Sequence, residues 1–100
     1  MNSVRFRSKA IRRSYILSHI IRRDGKQCKG CKISLRHKDM HIDHVIPRCE
    51  NGPDKISNMQ ILCKRCNLIK GAHTMEWLHE YIRSRVWCIG EDGLIQEVTQ

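Results

Sequence analysis

Two adjacent side chains near the middle of the sequence, Asp43 and His44, have the chemistry of a hydrolytic site. A carboxylate binds hard cations through oxygen, and an imidazole can take a proton from water near neutral pH. Asn67 lies further along the chain, and its amide oxygen could join Asp43 on one cation. Carboxylate, amide oxygen and imidazole are the groups needed to hydrolyse a phosphodiester with a single divalent ion. His41, two residues before Asp43, is a further candidate ligand.

Each of these side chains also has a purely structural interpretation. A strand histidine more often satisfies a hydrogen bond within the fold, and an aspartate often caps a turn. The adjacency of Asp43 and His44 between two cysteine pairs is the feature that favours catalysis. Because neighbouring side chains of a regular strand point to opposite faces, both can address one phosphate only if the backbone bends or the substrate crosses the strand edge.

Four of the six cysteines form two Cys-x-x-Cys pairs, with 31 residues between the pairs. Two intervening residues let one backbone turn present both sulfurs of a pair to the same ion, and four thiolates complete a tetrahedral Zn²⁺ site. Such a closed site leaves no position for a substrate, so this zinc is expected to be structural. Gly30, inside the first pair, is expected to relax the tight backbone. The predicted ligands are Cys28, Cys31, Cys63 and Cys66, while Cys49 and Cys88 are expected to be free thiols or core residues.

The formal net charge of +9 is unevenly distributed along the chain. Residues 1–75 carry 17 Lys and Arg against 5 Asp and Glu, whereas residues 76–100 carry 2 against 5. A strongly basic region favours a polyanion, most simply DNA, although RNA and acidic proteins offer the same complementarity. The predicted nucleic-acid contacts are Arg48 and Lys70, which flank the candidate chemistry, and Arg12 and Arg13, which precede it; a solvated surface is the alternative for each.

The N-terminus lacks the form of a signal peptide, because Arg12 and Arg13 interrupt its apolar residues. No apolar run approaches the length of a membrane span, so no membrane partner is expected. We therefore expect a cytoplasmic protein, in which paired cysteines more often hold metal than form disulfides. One hundred residues make one domain that is too small to be stabilised comfortably by apolar packing alone, which also favours a metal.

Apolar periodicity predicts the elements that must position these residues. Apolar pairs spaced four apart predict an amphipathic helix over residues 8–23 with Ser8 as its N-cap; the pairs are Ile11 and Tyr15, Ile16 and Ile20, and Leu17 and Ile21. β-branched residues predict a strand over residues 40–46, and the turn formers that follow predict a loop over residues 50–57.

The second cysteine pair lies between a predicted strand and a predicted helix. Residues 59–63 are expected to return as a second strand or extended segment, and a short helix is expected to start at Cys66 and end near Gly71. His73, beyond that glycine, is expected to be a surface histidine. A last helix is expected to start near Thr74, followed by an acidic tail that packs as a short strand or frays. The predicted core stripe of this last helix is Trp77, Leu78, Tyr81, Ile82 and Val86.

Several motifs occur in an order and spacing that identify a family. They are the first C-x2-C pair, IDHVIPRCENG, and SNMQILCKRCNLIKG, which contains the second pair. Together they resemble the HNH endonuclease motif in the subgroup whose two cysteine pairs bracket a catalytic hairpin. The resemblance runs from Asp24 to Gly71, roughly half of the chain.

The resemblance implies a role for each motif residue. It makes His44 the general base, Asp43 and Asn67 the ligands of a catalytic Mg²⁺ or Mn²⁺, and Asn58 the structural asparagine of the loop. Asn67 stands where the nominal motif has histidine, which gives a His-Asn-Asn variant and argues against Zn²⁺ at that second site. Asn58 could equally cap a turn, and the two roles can be one hydrogen bond.

The implied fold class is α+β, a small ββα-metal (His-Me finger) domain with a structural four-cysteine zinc and flanking helices. We expect a single nuclease domain over residues 1–100, with a basic N-terminal helix (1–23), a zinc-bracketed core (24–73) and a C-terminal helix and tail (74–100). The predicted activity is metal-dependent hydrolysis of DNA, by nicking or by double-strand cleavage. A homodimer, or partner proteins of phage packaging or restriction, would fit so small a nuclease.

Two other classes of protein are consistent with parts of this pattern. A zinc-ribbon module that binds nucleic acid without cutting it would keep the cysteines and the basic charge, but it would have no need of Asp43 and His44. A thiol redox sensor would need labile cysteines, and a stoichiometric zinc that resists chelation would argue against it. The Asp-His pair therefore favours the nuclease.

Overall fold

The computed structural model describes residues 6–89 and 95–99 of the chain, with side chains as far as residue 84. Within these residues the chain alternates helices with two antiparallel β-hairpins. In chain order the elements are α1 (Lys9–Asp24), β1 (His41–His44), β2 (Met59–Leu62), α2 (Lys64–Lys70), α3 (Met75–Arg83), β3 (Arg85–Ile89) and β4 (Ile95–Thr99). This α+β arrangement confirms the predicted fold class, with β1, β2 and α2 as its ββα unit.

Helix α1 begins as the sequence predicts, with Ser8 Oγ accepting a hydrogen bond of 3.2 Å from the backbone N–H of Ile11. It ends at Asp24, and its C-cap Gly25 has a φ of 84°, a conformation that glycine adopts without strain. The apolar pair Ile11 and Tyr15 is not part of the buried face, because these side chains are 51% and 40% exposed. The buried face consists of Ile16, Leu17 and Ile20.

Strands β1 and β2 pair in a register that sets Asp43 opposite Gln60 and His44 opposite Met59. Strand β1 is shorter than the predicted 40–46, because the chain after His44 leaves the ladder to bond with Asn58. All four residues of β2 are buried. Strand β2 is therefore the buried strand of the hairpin, whereas β1 is only partly buried.

Helix α3 starts next to Thr74 as predicted, whereas α2 begins at Lys64, two residues before its predicted start at Cys66. Helix α2 ends at Lys70 with Gly71 as its C-cap, as predicted, and Thr74 Oγ1 caps α3 by accepting from the N–H of Trp77 at 3.1 Å. The predicted continuation of α3 to Val86 is wrong: the helix ends at Arg83, and Val86 pairs with Val98 in the β3–β4 hairpin. The tail thus forms the short strand β4 over its described residues 95–99.

The core lies where α1, the β1–β2 hairpin, the cysteine pairs and α3 meet. Leu78 of α3 is fully buried in it, as predicted, whereas Trp77 is 37% exposed and stacks between His73 and Tyr81. No helix in residues 6–89 or 95–99 is long and apolar enough to cross a membrane. The buried apolar side chains outside the cysteines are Ile16, Leu17, Ile20, Leu35, Met40, Met59, Ile61, Leu62 and Leu78.

Candidate active site

The two cysteine pairs form one cluster, in which all four sulfurs lie within 4.8 Å of one another. The Sγ atoms of Cys31 and Cys63 are 3.8 Å apart. A tetrahedral Zn²⁺ with Zn–S bonds of about 2.3 Å requires sulfurs about 3.8 Å apart, so the observed separation fits zinc. Backbone N–H groups of Gly30 and Cys66 donate to sulfurs of the cluster at 3.3 and 3.4 Å, which stabilises thiolates.

The ionisation of these sulfurs is consistent with a metal site. Hydrogen bonds from the neighbouring thiols, first that of Cys31, hold the pKa of Cys28 far below its usual range. Hydrogen bonding to the same neighbours, first Cys28, raises the pKa of Cys66 far above it. Four adjacent sulfurs therefore cannot all ionise unless a cation balances their charge. The cluster of Cys28, Cys31, Cys63 and Cys66 thus fits a structural zinc site.

Gly30 has a steric role that differs from the predicted one. In the turn that carries the first cysteine pair, Lys32 has a positive φ of 71°, whereas Gly30 is not among the described residues with positive φ. A Cβ added at Gly30 would lie 2.9 Å from Cys66 Sγ and 3.1 Å from a methyl group of Leu78. Only glycine therefore lets the first knuckle approach the second closely enough to share an ion.

Asp43 and His44 end strand β1 and line the same cavity of about 510 Å³. The cavity is also lined by Pro47, Arg48 and Gly71. The two side chains are held by different partners, Asp43 by residues of β2 and α2 and His44 by the loop between β1 and β2. Asp43 and His44 therefore border one cavity while different elements hold their side chains.

The carboxylate of Asp43 is nearly buried, at 9% exposure, and uses one oxygen for protein contacts. Its Oδ2 accepts from Gln60 Nε2 at 2.9 Å and lies 3.1 Å from Lys70 Nζ. Its Oδ1 accepts no hydrogen bond from the side chains described through residue 84. A buried carboxylate oxygen without a donor fits a cation ligand, which needs no hydrogen of its own.

Lys70 has a position other than that of the predicted phosphate contact. Its side chain is fully buried, and Nζ donates to the backbone oxygen of His44 at 2.9 Å while it pairs with Asp43. A buried ammonium with these two partners cannot reach a phosphate at the surface. Lys70 instead ties α2 to the end of β1.

The two asparagines of the motif lie in different surroundings. Asn67 is half-buried on α2, one turn before Lys70 on the same helical face, and its amide has no hydrogen-bond partner among the described side chains. Asn58 is buried and braces the loop: its Oδ1 accepts from Ile46 N at 2.9 Å, and its Nδ2 donates to the oxygens of Ile46 and Pro53 at 3.1 and 3.0 Å.

Asp54, which the sequence did not indicate as a site residue, contacts the candidate base directly. Its Oδ1 lies 2.6 Å from His44 Nε2 and accepts from Arg48 Nε at 2.9 Å. The hydrogen bond with His44, and next that with Arg48, keeps the pKa of Asp54 below its usual range. Asp54 belongs to the turn Asn51-Gly52-Pro53-Asp54, which in the sequence predicts only a loop, so no sequence signal points to this contact.

A second cavity, of about 720 Å³, joins helix α1 to strand β1 and reaches His44. Its predicted basic residues behave differently: Arg12 is exposed, whereas Arg13 donates to the oxygens of His37 and Met40 at 2.9 and 2.8 Å. Arg48 lies at the boundary of the two cavities and is bonded to Asp54 only through Nε. The ionisable side chains that line this cavity are all basic or imidazole: Lys9, Arg12, Arg13, Lys38, His41, His44 and Arg48.

The remaining candidates lie outside the Asp43 contacts. His41 lines the α1–β1 cavity and makes no described contact with Asp43. Cys49 is exposed and apart from the zinc cluster, as predicted, and the side chain of Cys88 is outside the described residues. His73 stacks on Trp77 with ring centres 3.7 Å apart.

Comparison with known families agrees with this geometry. The sequence model of the HNH endonuclease family matches residues 28–73, a segment that begins at the first zinc cysteine and ends just after α2. No curated protein matches the chain. The matched segment contains both cysteine pairs, the β1–β2 hairpin and α2. Residues 28–73 therefore match the HNH endonuclease family model, contain a ββα unit and include a cysteine cluster that fits zinc.

Proposed function

We propose that this protein is a metal-dependent endonuclease that hydrolyses DNA phosphodiester bonds, with His44 as the general base. The observation that carries the proposal is the shared cavity of Asp43 and His44, which opens beside the guanidinium of Arg48. In this proposal a single nuclease domain uses its four cysteines for a structural Zn²⁺, and the need for thiolates is the reason to place it in a reducing cytoplasm.

A catalytic divalent ion fits the residues beside this cavity. Asp43 offers an Oδ1 without a hydrogen-bond donor, and Asn67 offers an amide without a partner on the α2 face that packs against Asp43 through Lys70. Two oxygen donors suit Mg²⁺ or Mn²⁺ better than Zn²⁺. When bound, such an ion would stabilise negative charge on the phosphate and on the leaving oxygen.

The protein's own groups account for the other requirements of hydrolysis. His44 would take a proton from the attacking water, and the oxygen of that water forms the new bond to phosphorus as the bond to the leaving oxygen breaks. Arg48 donates Nε to Asp54, which leaves its terminal amino groups for a phosphate oxygen. Lys70 holds the backbone oxygen of His44 itself, and Asn58 holds the backbone of Ile46 two residues later, so both restrict where the His44 side chain lies.

The α1–β1 cavity supports DNA as the substrate. Its lining combines basic side chains from α1, from the segment before β1, and from Arg48, with no acidic side chain among them. A basic groove that leads to the candidate base would position a phosphate backbone without reading its sequence. Arg12 is an exposed member of this lining, and we propose it as a backbone contact together with the exposed Arg48.

The proposal is tested with supercoiled plasmid and purified protein, in Mg²⁺, in Mn²⁺ and in EDTA. We expect metal-dependent conversion to open-circle or linear DNA, which also distinguishes nicking from double-strand cleavage and so bears on a dimer. His44→Ala should abolish the conversion, whereas His19→Ala, which removes an exposed α1 histidine outside both cavities, should not. Circular dichroism in EDTA separates loss of catalysis from loss of the fold.

The competing function is a zinc module that binds nucleic acid without cutting it, which the basic cavity also supports. Intact plasmid in every metal, together with retained binding of a DNA duplex, would establish that function instead. In that case His44→Ala and the wild-type protein would bind DNA equally well.

A further inference from the structure

The 2.6 Å contact between His44 Nε2 and Asp54 Oδ1 is short and joins residues ten positions apart. It is made by a histidine whose side chain is 17% exposed and by an aspartate that is 57% exposed. Arg48 Nε donates to the same aspartate oxygen at 2.9 Å. The imidazole is therefore held at one nitrogen, and the other nitrogen, Nδ1, has no hydrogen-bond partner among the described residues.

The loop that carries Asp54 is built to hold it in place. Asn58 Nδ2 donates to the backbone oxygen of Pro53, the residue immediately before Asp54. Gly52 donates its N–H to the oxygen of Pro47 at 2.9 Å, and a Cβ there would lie only 1.7 Å from the backbone oxygen of Ile46. The exposed position of Asp54 is thus fixed by the backbone beneath it.

We propose that Asp54 is a positioning residue for His44, an inference that rests on the proposed nuclease function. A carboxylate only accepts hydrogen bonds, so its contact with Nε2 selects the neutral tautomer that carries hydrogen on Nε2. That tautomer has its lone pair on Nδ1, the nitrogen free to accept a proton from water. Asp54 also fixes the plane of the ring, while the proton itself moves only from water to Nδ1.

Arg48 shares the carboxylate oxygen and has a separable role. Its guanidinium balances the charge of Asp54, but it has no contact with the imidazole that could choose between its nitrogens. Arg48→Gln should therefore weaken DNA binding and leave the His44 tautomer unchanged. Removing Asp54 should change the tautomer itself, which distinguishes positioning from general electrostatics.

The tautomer can be read by ¹⁵N NMR of histidine-labelled protein, with the His44 signal assigned through His44→Gln. At a pH where the imidazole is neutral, we expect wild type to show hydrogen on Nε2. Asp54→Ala should show a mixture of the two tautomers, and Asp54→Asn, which keeps an acceptor oxygen, should retain most of the Nε2–H form. Asp39→Ala removes another exposed, ion-paired aspartate and should change nothing at His44.

Plasmid cleavage with the same variants provides the kinetic readout. We expect Asp54→Ala to lower kcat by about 10- to 100-fold with KM little changed, the range typical when a partner that orients a metal-site ligand is removed. An unchanged tautomer in Asp54→Ala, or unchanged kcat in a wild type that cleaves, would overturn the inference. Failure of the wild-type protein to cleave overturns the nuclease proposal instead, because the NMR result does not depend on activity.

Discussion

Lys70 Nζ lies 3.1 Å from Asp43 Oδ2 and 2.9 Å from the backbone oxygen of His44, although the lysine side chain is fully buried. One ammonium thus holds both residues of the Asp-His pair from α2, on the side away from solvent. Gln60 donates to the same carboxylate oxygen at 2.9 Å. The carboxylate is fixed by two donors on one oxygen, and its second oxygen stays available.

Lys70→Met should destabilise the protein strongly, because it leaves the nearly buried carboxylate of Asp43 without its cation. Breaking one side of a buried ion pair typically costs about 3 to 5 kcal/mol of unfolding free energy. Lys64→Met, at the exposed start of the same helix, should stay within about 0.5 kcal/mol of wild type. Denaturant unfolding measures both, and equal values for the two variants would contradict the structural role of Lys70.

The double variant Lys70→Met with Asp43→Leu tests whether the unpaired carboxylate causes the loss of unfolding free energy in Lys70→Met. Replacing both members of a buried pair by apolar side chains is often nearly neutral. We therefore expect the double variant to regain much of the stability that the single variant loses. The double variant should lack nuclease activity, since it lacks the proposed metal ligand.

Cys66→Ser should abolish stoichiometric zinc and with it most of the fold. A structural zinc contributes binding free energy on the order of 10 kcal/mol to the folded state, more than a small core can replace. Cys49→Ser, which alters an exposed thiol outside the cluster, should retain zinc and stability. Metal analysis and thermal unfolding test this, and a folded, zinc-free Cys66→Ser would show that the core alone suffices.

Local signals in the sequence were enough to predict the elements that position the site. Ser8 and Thr74 have side chains that cap helices, and both do so. The C-x2-C spacing predicts a shared ion, because two residues between the cysteines let one backbone turn direct both sulfurs to the same ion. The β-branched run before Pro47 predicts β1 for the same local reason.

Contacts that depend on how elements pack could not be predicted in the same way. Lys70 has the spacing of a solvated helix residue, and only the position of Asp43 beneath α2 makes its burial favourable. The His44–Asp54 contact closes across a loop whose path depends on Asn58. Val86 follows Ile82 at helical spacing, yet cross-strand pairing with Val98 outweighs that local pattern.

Gly30→Ala should lower zinc affinity as well as stability. The added Cβ would lie 2.9 Å from Cys66 Sγ, an atom that a bound ion holds in place and that cannot easily move away. Gly25→Ala is the matched control, because Gly25 has no neighbour within 4 Å of such a Cβ but has a φ of 84°. With ψ at −178°, an alanine at this position is strained by about 1 to 3 kcal/mol without touching the cluster.

A competition assay against a chromogenic zinc chelator separates the two effects. Gly30→Ala should release zinc at lower chelator concentrations than wild type, and Gly25→Ala should match wild type. Equal zinc release by both glycine variants would show that the knuckles can separate without weakening the site.

Asp54 should titrate at a lower pH in the wild-type protein than in His44→Ala. The hydrogen bond with His44 is the main cause of its lowered pKa, and that with Arg48 is the second. Because the folded pKa is below the unfolded value, the interaction stabilises the fold fully above the unfolded pKa and is lost as the pH falls through the folded pKa. The contact is therefore intact at neutral pH.

Carbon-13 NMR of the Asp54 carboxyl group measures this titration directly. His44→Ala should shift the Asp54 midpoint upward, toward the ordinary aspartate value, and Arg48→Gln should shift it less. A midpoint that does not move in His44→Ala would contradict the 2.6 Å contact.

Arg12 and Arg13 are adjacent in α1, but alanine should affect DNA binding at Arg12 and folding stability at Arg13. Arg12 is exposed on the basic cavity, so Arg12→Ala should weaken DNA binding and reduce the slope of log affinity against log salt concentration by about 1. Arg13 donates to the oxygens of His37 and Met40, so Arg13→Ala should cost about 1 to 3 kcal/mol of unfolding free energy. Salt-dependent fluorescence anisotropy and denaturant unfolding measure the two quantities on the same protein samples. A salt slope unchanged in Arg12→Ala would exclude the α1–β1 cavity as the path of the DNA backbone, because an exposed guanidinium on that path must release a counterion when it binds a phosphate.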